Sequence, residues 1–236
     1  MSDARVAEAE ELFKKAEAFS LQGAAGDEKK IYDDIAGRFG SATEPELKKL
    51  AAKALVNKGV ILGKQSCHGE ALAAFDQALE LVAGSDDATS RESSAIAQVN
   101  RAITLDKQGK IADAISAYDG VVQQFAGSQE TAIQEQAAKA LLQKGFMCTR
   151  KNMLEEERSA YDALIELFGA SQEPALHSLI ANALFSKGLS YGKAMHRDAA
   201  NEAYDELLRR YAGSGEPELK SLVGMANFNK GVSYHF

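Results

Sequence analysis

The chain has 236 residues, 45% of them hydrophobic and 26% charged, with 41 alanines, three prolines and no tryptophan. This is the composition of a folded protein long enough for one large or two ordinary domains, and it excludes disordered, collagen-like and membrane-spanning classes, the last because no run approaches about 18 to 20 apolar residues. A formal net charge of -7 weighs against nucleic acid as a partner, since the field of an acidic chain repels a phosphate backbone unless a local basic patch offsets it.

The acidic start, MSDARVAEAEEL, lacks the charged-then-apolar plan of a signal peptide, so the cytoplasm is the expected compartment. A first helix runs through Leu12–Phe19, turns at Gly23, and is followed by a second helix carrying Tyr32-Asp33 and stopping after Phe39. The same plan then repeats. Aromatic-Asp pairs recur as Phe75-Asp76, Tyr118-Asp119, Tyr161-Asp162 and Tyr204-Asp205, each step being 43 residues. Seven residues after each anchor come Phe39, Val82, Phe125, Phe168 and Tyr211; twenty-seven after come Gly59, Ala102, Gly145, Gly188 and Gly231.

All three prolines, Pro45, Pro174 and Pro217, occupy one column behind Glu44, Glu173 and Glu216. Proline in a first turn forfeits no helical hydrogen bond and acids there meet the positive end of the helix dipole, so a helix of about twenty residues begins at each, as over Glu44–Lys64. The turn column Gly23, Ser66, Gly109 and Asn152 ends it. The reading is all-α: one α-solenoid domain over 1–236, with helix pairs at about 2–42, 43–85, 86–128, 129–171 and 172–214 and a lone helix at 215–236.

At 100° per residue, Leu47, Leu50, Ala51, Ala54, Leu55 and Leu62 share one face of the first helix, and Lys58 points into the middle of it. The cation recurs as Arg101, Lys144, Lys187 and Lys230. Burial of unpaired cations is prohibitive, and the only acid repeated in every unit follows the anchor aromatic. An ion-pair ladder is therefore expected between these cations and Asp33, Asp76, Asp119, Asp162 and Asp205; the alternative is that the cations reach water along apolar surface.

The run L55-V-N-K-G59-V-I-L62 with Ala71 and Phe75, and again L184-F-S-K-G188-L-S-Y191 with Ala200 and Tyr204, resembles the tetratricopeptide repeat signature of a bulky residue, a small glycine, an aromatic, then alanine and an aromatic on the partner helix. The resemblance spans essentially the whole chain. Departures are Gln98 or Leu where Trp is usual, Ala102 in a glycine column, a Lys or Arg column that is normally Leu, and Glu157 where the small alanine is expected. The resemblance implies a right-handed superhelix whose concave groove holds a peptide or partner protein, without catalysis.

A second apolar pair recurs on the opposite side of the first helix: Val56 and Val60, Val99 and Ile103, Leu142 and Phe146, Phe185 and Leu189, Phe228 and Val232. In tetratricopeptide arrays the matching positions line the groove, here flanked by Lys53, Lys64, Lys107, Lys139, Arg150 and Lys193. Such a strip suits an amphipathic helix or a peptide with acidic flanks, although plain packing explains such positions too. The companion columns of the carboxylate clamp known in some members are not present.

No GxxxxGK[ST], GxGxxG or HExxH occurs; the four histidines share no column; and Cys67 and Cys148, far apart and without a CxxC partner, suggest neither a disulfide framework nor a zinc site. No cofactor, metal or enzyme activity is expected. The last helix has no partner to cover Leu222, Val223, Phe228, Tyr234 and Phe236, so a longer array or self-association is expected there. Two further readings stay open: a self-assembling scaffold, and the regulatory arm of a larger enzyme system.

Overall fold

The computed structural model describes residues 2–233, with side chains over residues 3–231. These residues form eleven α-helices and no strand: α1 (Ser2–Leu21), α2 (Ala25–Phe39), α3 (Pro45–Lys64), α4 (His68–Val82), α5 (Ala88–Lys107), α6 (Ile111–Phe125), α7 (Thr131–Lys151), α8 (Leu154–Phe168), α9 (Pro174–Lys193), α10 (Arg197–Tyr211) and α11 (Pro217–Ser233). Each predicted repeat holds one long and one short helix, and α11 stands where the lone helix was expected.

The starts follow from the proline column. Pro45 and Pro174 are the first helical residues of α3 and α9, with Glu44 and Glu173 extended just before them. α5 lacks a proline and is capped differently: the Asp87 carboxylate accepts hydrogen bonds from the Ser90 amide at 3.2 Å and from the Ser85 and Ser90 hydroxyls at 2.6 and 2.7 Å. The Ser85 and Ser90 hydrogen bonds hold this carboxyl well below the usual carboxylate range.

The ends follow from the turn column. Gly23, Ser66, Gly109, Asn152 and Met195 all have φ between 57° and 77°, the left-handed conformation that closes a helix. In each case the next residue but none beyond it reaches back: the amides of Ala24, Cys67, Lys110, Met153 and His196 donate to the carbonyls of Phe19, Leu62, Leu105, Cys148 and Tyr191 at 2.9 to 3.0 Å. Glycine takes this conformation freely, whereas Met195 takes it at a cost of about 1–2 kcal/mol.

The chain divides into two compact units, Met1–Val121 and Val122–Phe236, the division falling within α6. In the first, α1 to α5 pack consecutively, and the long helices also pack on one another, α1 on α3 and α3 on α5. The second repeats this, with α7 to α11 consecutive and α7 on α9 and α9 on α11. Alternate long helices can meet because small residues lie between them: Ala52 of α3 and Ala97 of α5 are wholly buried in one core cluster.

The anchor aromatics Tyr32, Phe75, Tyr118, Tyr161 and Tyr204 are all buried. In three repeats the anchor ring lies against the glycine column: a methyl group added to Gly59, Gly145 or Gly188 would sit 2.5, 2.3 or 2.4 Å from a ring carbon of Phe75, Tyr161 or Tyr204. The anchor and the glycine are thus a lock and its clearance within one helix pair.

Burial raises the phenol of Tyr32, Tyr161, Tyr204 and Tyr211 above its ordinary value. The folded state keeps these protons where the unfolded chain, with phenols near pH 10, releases them, so their contribution is fully present below about pH 10 and is lost as pH rises through the folded values. The midpoint of urea unfolding is expected to fall between pH 9 and pH 11, in step with the rise of tyrosinate absorbance. An unchanged midpoint would contradict this account of the anchors.

Candidate functional site

The cation column meets the anchor acids at the surface. Lys58 lies 2.5 Å from Asp33, Arg101 2.7 Å from Asp76 and Lys187 2.5 Å from Asp162, and Lys230 pairs with Asp205. Asp119 belongs to the first unit and Lys144 to the second. The partners differ from buried charges in one respect that decides their worth: in the Lys187–Asp162 pair the side chains remain 25% and 50% exposed. Ion pairs open to water contribute about 0.2–1 kcal/mol each. Lys187→Met is therefore expected to cost less than about 1 kcal/mol in chemical denaturation; a much larger loss would mean that Asp162 had been left in a dry environment.

The apolar strip separates into two columns with different roles. Val56, Val99 and Leu142 are 4%, 0% and 4% exposed, which corrects the expectation that they offer a surface to a ligand. The reason is geometric: this column faces the anchor ring of its own repeat. Phe13, its first member, lies 5.8 Å from Tyr32 between ring centroids, Phe185 lies 6.0 Å from Tyr204, and Val56 shares a core cluster with Phe75. Phe228, on α11, is 70% exposed. Val232 lies outside the residues whose side chains are described, as do Tyr234 and Phe236.

The second column stays partly accessible at Val60, Ile103 and Phe146, and Leu189 is 37% exposed. Among the flanking cations Lys53, Lys64, Lys107, Arg150 and Lys193 are exposed and Lys139 is half-buried. Lys53 places its ammonium 5.3 Å from the Phe13 ring centroid, so it partly covers the surface it was expected to flank.

In the second unit these positions converge. Phe146 and Arg150 from α7 and Leu189 and Lys193 from α9 line a concavity of about 330 Å³ together with Thr149, Glu157, Tyr161, Ser186 and Ser190. Its floor is built by the lock described above. The Tyr161 ring is held under Gly145 and meets Phe146 edge-on, with centroids 6.4 Å apart at 68°. The Tyr161 hydroxyl lies 3.3 Å from Thr149 Oγ1, which itself donates to the Gly145 carbonyl at 3.0 Å. Burial raises the phenol, hydrogen bonding with Thr149 and Ser186 opposes that, and the charge of Glu157 adds to it. At neutral pH the group is a neutral hydroxyl.

Two members are unusual for a protein interior. Glu157 is 3% exposed, yet its carboxylate makes no ion pair or side-chain hydrogen bond with any described residue. Ser190 is equally buried, and its Oγ has no hydrogen-bond partner among the described residues. Sequence reasoning marked Glu157 only as a departure from an alanine column, and it missed Thr149, Ser186 and Ser190. Ser190 shares its column with Ile61, Thr104 and Met147, all buried, so periodicity alone reads it as packing. Thr104 in that column satisfies its hydroxyl on the Asn100 carbonyl at 2.8 Å; Ser190 does not.

Residues 182–214, from mid-α9 through α10, match the family model of the tetratricopeptide repeat. The columns of that segment recur at the same spacing in the other helix pairs. This segment carries a tetratricopeptide repeat. Among solved structures, the chain is similar to BtubC (BKLC) from P. vanneervenii, with 15% identity over 89% of this chain and 83% of that one at a TM-score of 0.70. It is also similar to PilW, a widely conserved type IV pilus biogenesis factor, with 16% identity over 94% and 98% of the two chains at a TM-score of 0.52. Likeness at such identities concerns the fold. No curated protein sequence matches the chain.

Among the described residues no group of three or more His, Cys, Asp or Glu side chains is placed to hold a metal ion, and no helix is long and apolar enough to cross a membrane. Cys148 is buried in the core and Cys67 is partly buried, and neither is in a disulfide.

Proposed function

We propose that this tetratricopeptide-repeat protein is a noncatalytic scaffold that binds a segment of a partner protein, and that the concavity on α7, α8 and α9 is a contact site for it. The observation that carries the reading is the convergence of Phe146, Leu189, Arg150 and Lys193 around one opening of about 330 Å³. An accessible aliphatic side chain and an aromatic ring beside cationic side chains match what extended or helical peptides use: apolar anchors for affinity and charge for orientation. Repeat proteins of this family bind proteins through such surfaces, which supports the class of function.

The test is a selection from a displayed random peptide library on the full chain, followed by affinity measurement on Leu189→Asp, Lys193→Glu. Both residues are exposed, so the double variant is expected to keep the wild-type circular dichroism spectrum and to bind the selected peptides at least tenfold more weakly. Undiminished affinity would place the ligand elsewhere on the scaffold.

A second reading, self-association through the last helix, has a narrower basis than its sequence suggested. Leu219, Leu222 and Ala226 are buried, with α11 packed on α9 and α10, which corrects the expectation that Leu222 is left uncovered. Met225 and Phe228 remain exposed on the same helix. A mass that rises with concentration in wild type and stays monomeric in Phe228→Asp would support this reading.

A further inference from the structure

The polar interior of the α7–α9 concavity is incomplete as it stands. Glu157 brings a carboxylate to the wall of this opening. Glu157 stands near the start of α8, where the helix dipole favours an acid. It nevertheless lacks both a cation and a side-chain donor among the described residues. The same column holds Ala71, Ala114 and Ala200 in three other helix pairs and Glu28 in the first, where the carboxylate accepts a hydrogen bond from the Tyr32 hydroxyl at 3.3 Å; no such bond joins Glu157 to Tyr161. Ser190 is an independent second sign: a buried hydroxyl lining the same space and bonded to nothing described.

We infer that this pocket receives the cationic side chain of a lysine or arginine in the partner segment, with the Glu157 carboxylate as its counter-ion and the Ser190 hydroxyl as an acceptor. The inference rests on the reading of the concavity as a peptide site. Three features of the pocket fit that occupant. An ammonium or guanidinium supplies several donors to a carboxylate and to the lone pairs of a hydroxyl. The partly buried Phe146 ring and the exposed Leu189 side chain offer apolar surface to the methylene stem. Arg150 and Lys193 on the same wall oppose a free polyamine, which would bring several positive charges past them, and favour a single basic residue between acidic neighbours.

The experiment uses the full chain and the displayed peptide library, with wild type, Glu157→Gln and Glu157→Ala run in parallel. Wild type is expected to enrich sequences with Lys or Arg at one fixed position and Asp or Glu beside it. A synthetic peptide of that sequence is expected to lose at least tenfold affinity when norleucine replaces the basic residue, and by a similar factor against Glu157→Gln. Glu157→Ala restores the residue of the neighbouring repeats, so its Tm should be no lower than that of wild type, and its binding should no longer distinguish lysine from norleucine.

Enriched peptides without a basic position, whose binding still depends on Leu189 and Lys193, would overturn the assignment of a cationic ligand while leaving the peptide site standing. Equal affinity of the lysine peptide for wild type and Glu157→Gln would overturn it as well. Failure of wild type to enrich any sequence would overturn both readings, and a Glu157→Ala variant that melts well below wild type would make Glu157 a structural residue.

Discussion

Phe75→Ala is expected to destabilise the first unit by about 3–5 kcal/mol, the range for truncating a buried aromatic ring. The ring is 1% exposed, and the core it joins includes Val56, Leu62, Ala71, Ala78 and Val82 from its own helix pair and Ala97 from α5. Its removal empties the space between α3 and α4 and loosens the seat of α5, and helices whose long axis was set by the ring cannot collapse onto the void without moving their own neighbours. In a repeat protein the loss is felt in the affected pair and its contacts, so urea unfolding followed by hydrogen exchange should show early opening in α3 and α4. Uniform weakening of every helix, or a cost below about 1 kcal/mol, would mean that the anchors are not the principal tie within a pair.

Gly188→Val is the complementary case and is expected to cost about 2–3 kcal/mol. A first side-chain carbon at Gly188 would lie 2.4 Å from Tyr204 Cε1, and two further methyl groups cannot be accommodated by turning a ring that is itself 3% exposed. Helix propensity runs the other way, since valine is favoured over glycine in a helix interior by a few tenths of a kcal/mol, so packing decides the sign. Gly192→Val, one turn later on the same helix with open space around its backbone, is the control and should be neutral or mildly stabilising. Equal effects at 188 and 192 would show that the Tyr204 ring yields.

Much of the fold was legible because the determinants recur. Pro45, Pro174 and Pro217 mark helix starts by a property of proline that tertiary structure cannot override. Gly23, Ser66, Gly109 and Asn152 mark helix ends through a left-handed residue, and Met195 extends the column although no propensity rule would select methionine for that conformation. The ion pairs were legible as partners, since a cation and an acid at constant spacing recur together. How far they stand in water was not, because exposure depends on the neighbouring helix pair rather than on the spacing.

The site was legible only in part. A stripe of apolar residues two columns wide was read as one surface, but the column of Val56, Val99, Leu142 and Phe185 packs toward the anchor rings, whereas the column of Phe146 and Leu189 stays partly accessible, Phe146 even while meeting Tyr161 edge-on. The two differ by four residues on a helix and by about 40° around it, less than a sequence pattern resolves. Ser190 could not be found from its column, whose other members are core. Glu157 could have been, as a charged residue in an alanine column whose repeat still packs its anchor tyrosine fully.

The most direct test of the central claim is a comparison of wild type with Leu189→Asp, Lys193→Glu in backbone amide chemical-shift mapping of the full chain, with one library-selected peptide as the titrant. The account predicts that the wild-type shifts concentrate on residues 146–161 and 186–193, the walls of the α7–α9 concavity, and vanish in the variant at the same peptide concentration. Shifts confined to the outer faces of α8 and α10, or undiminished in the variant, would contradict it.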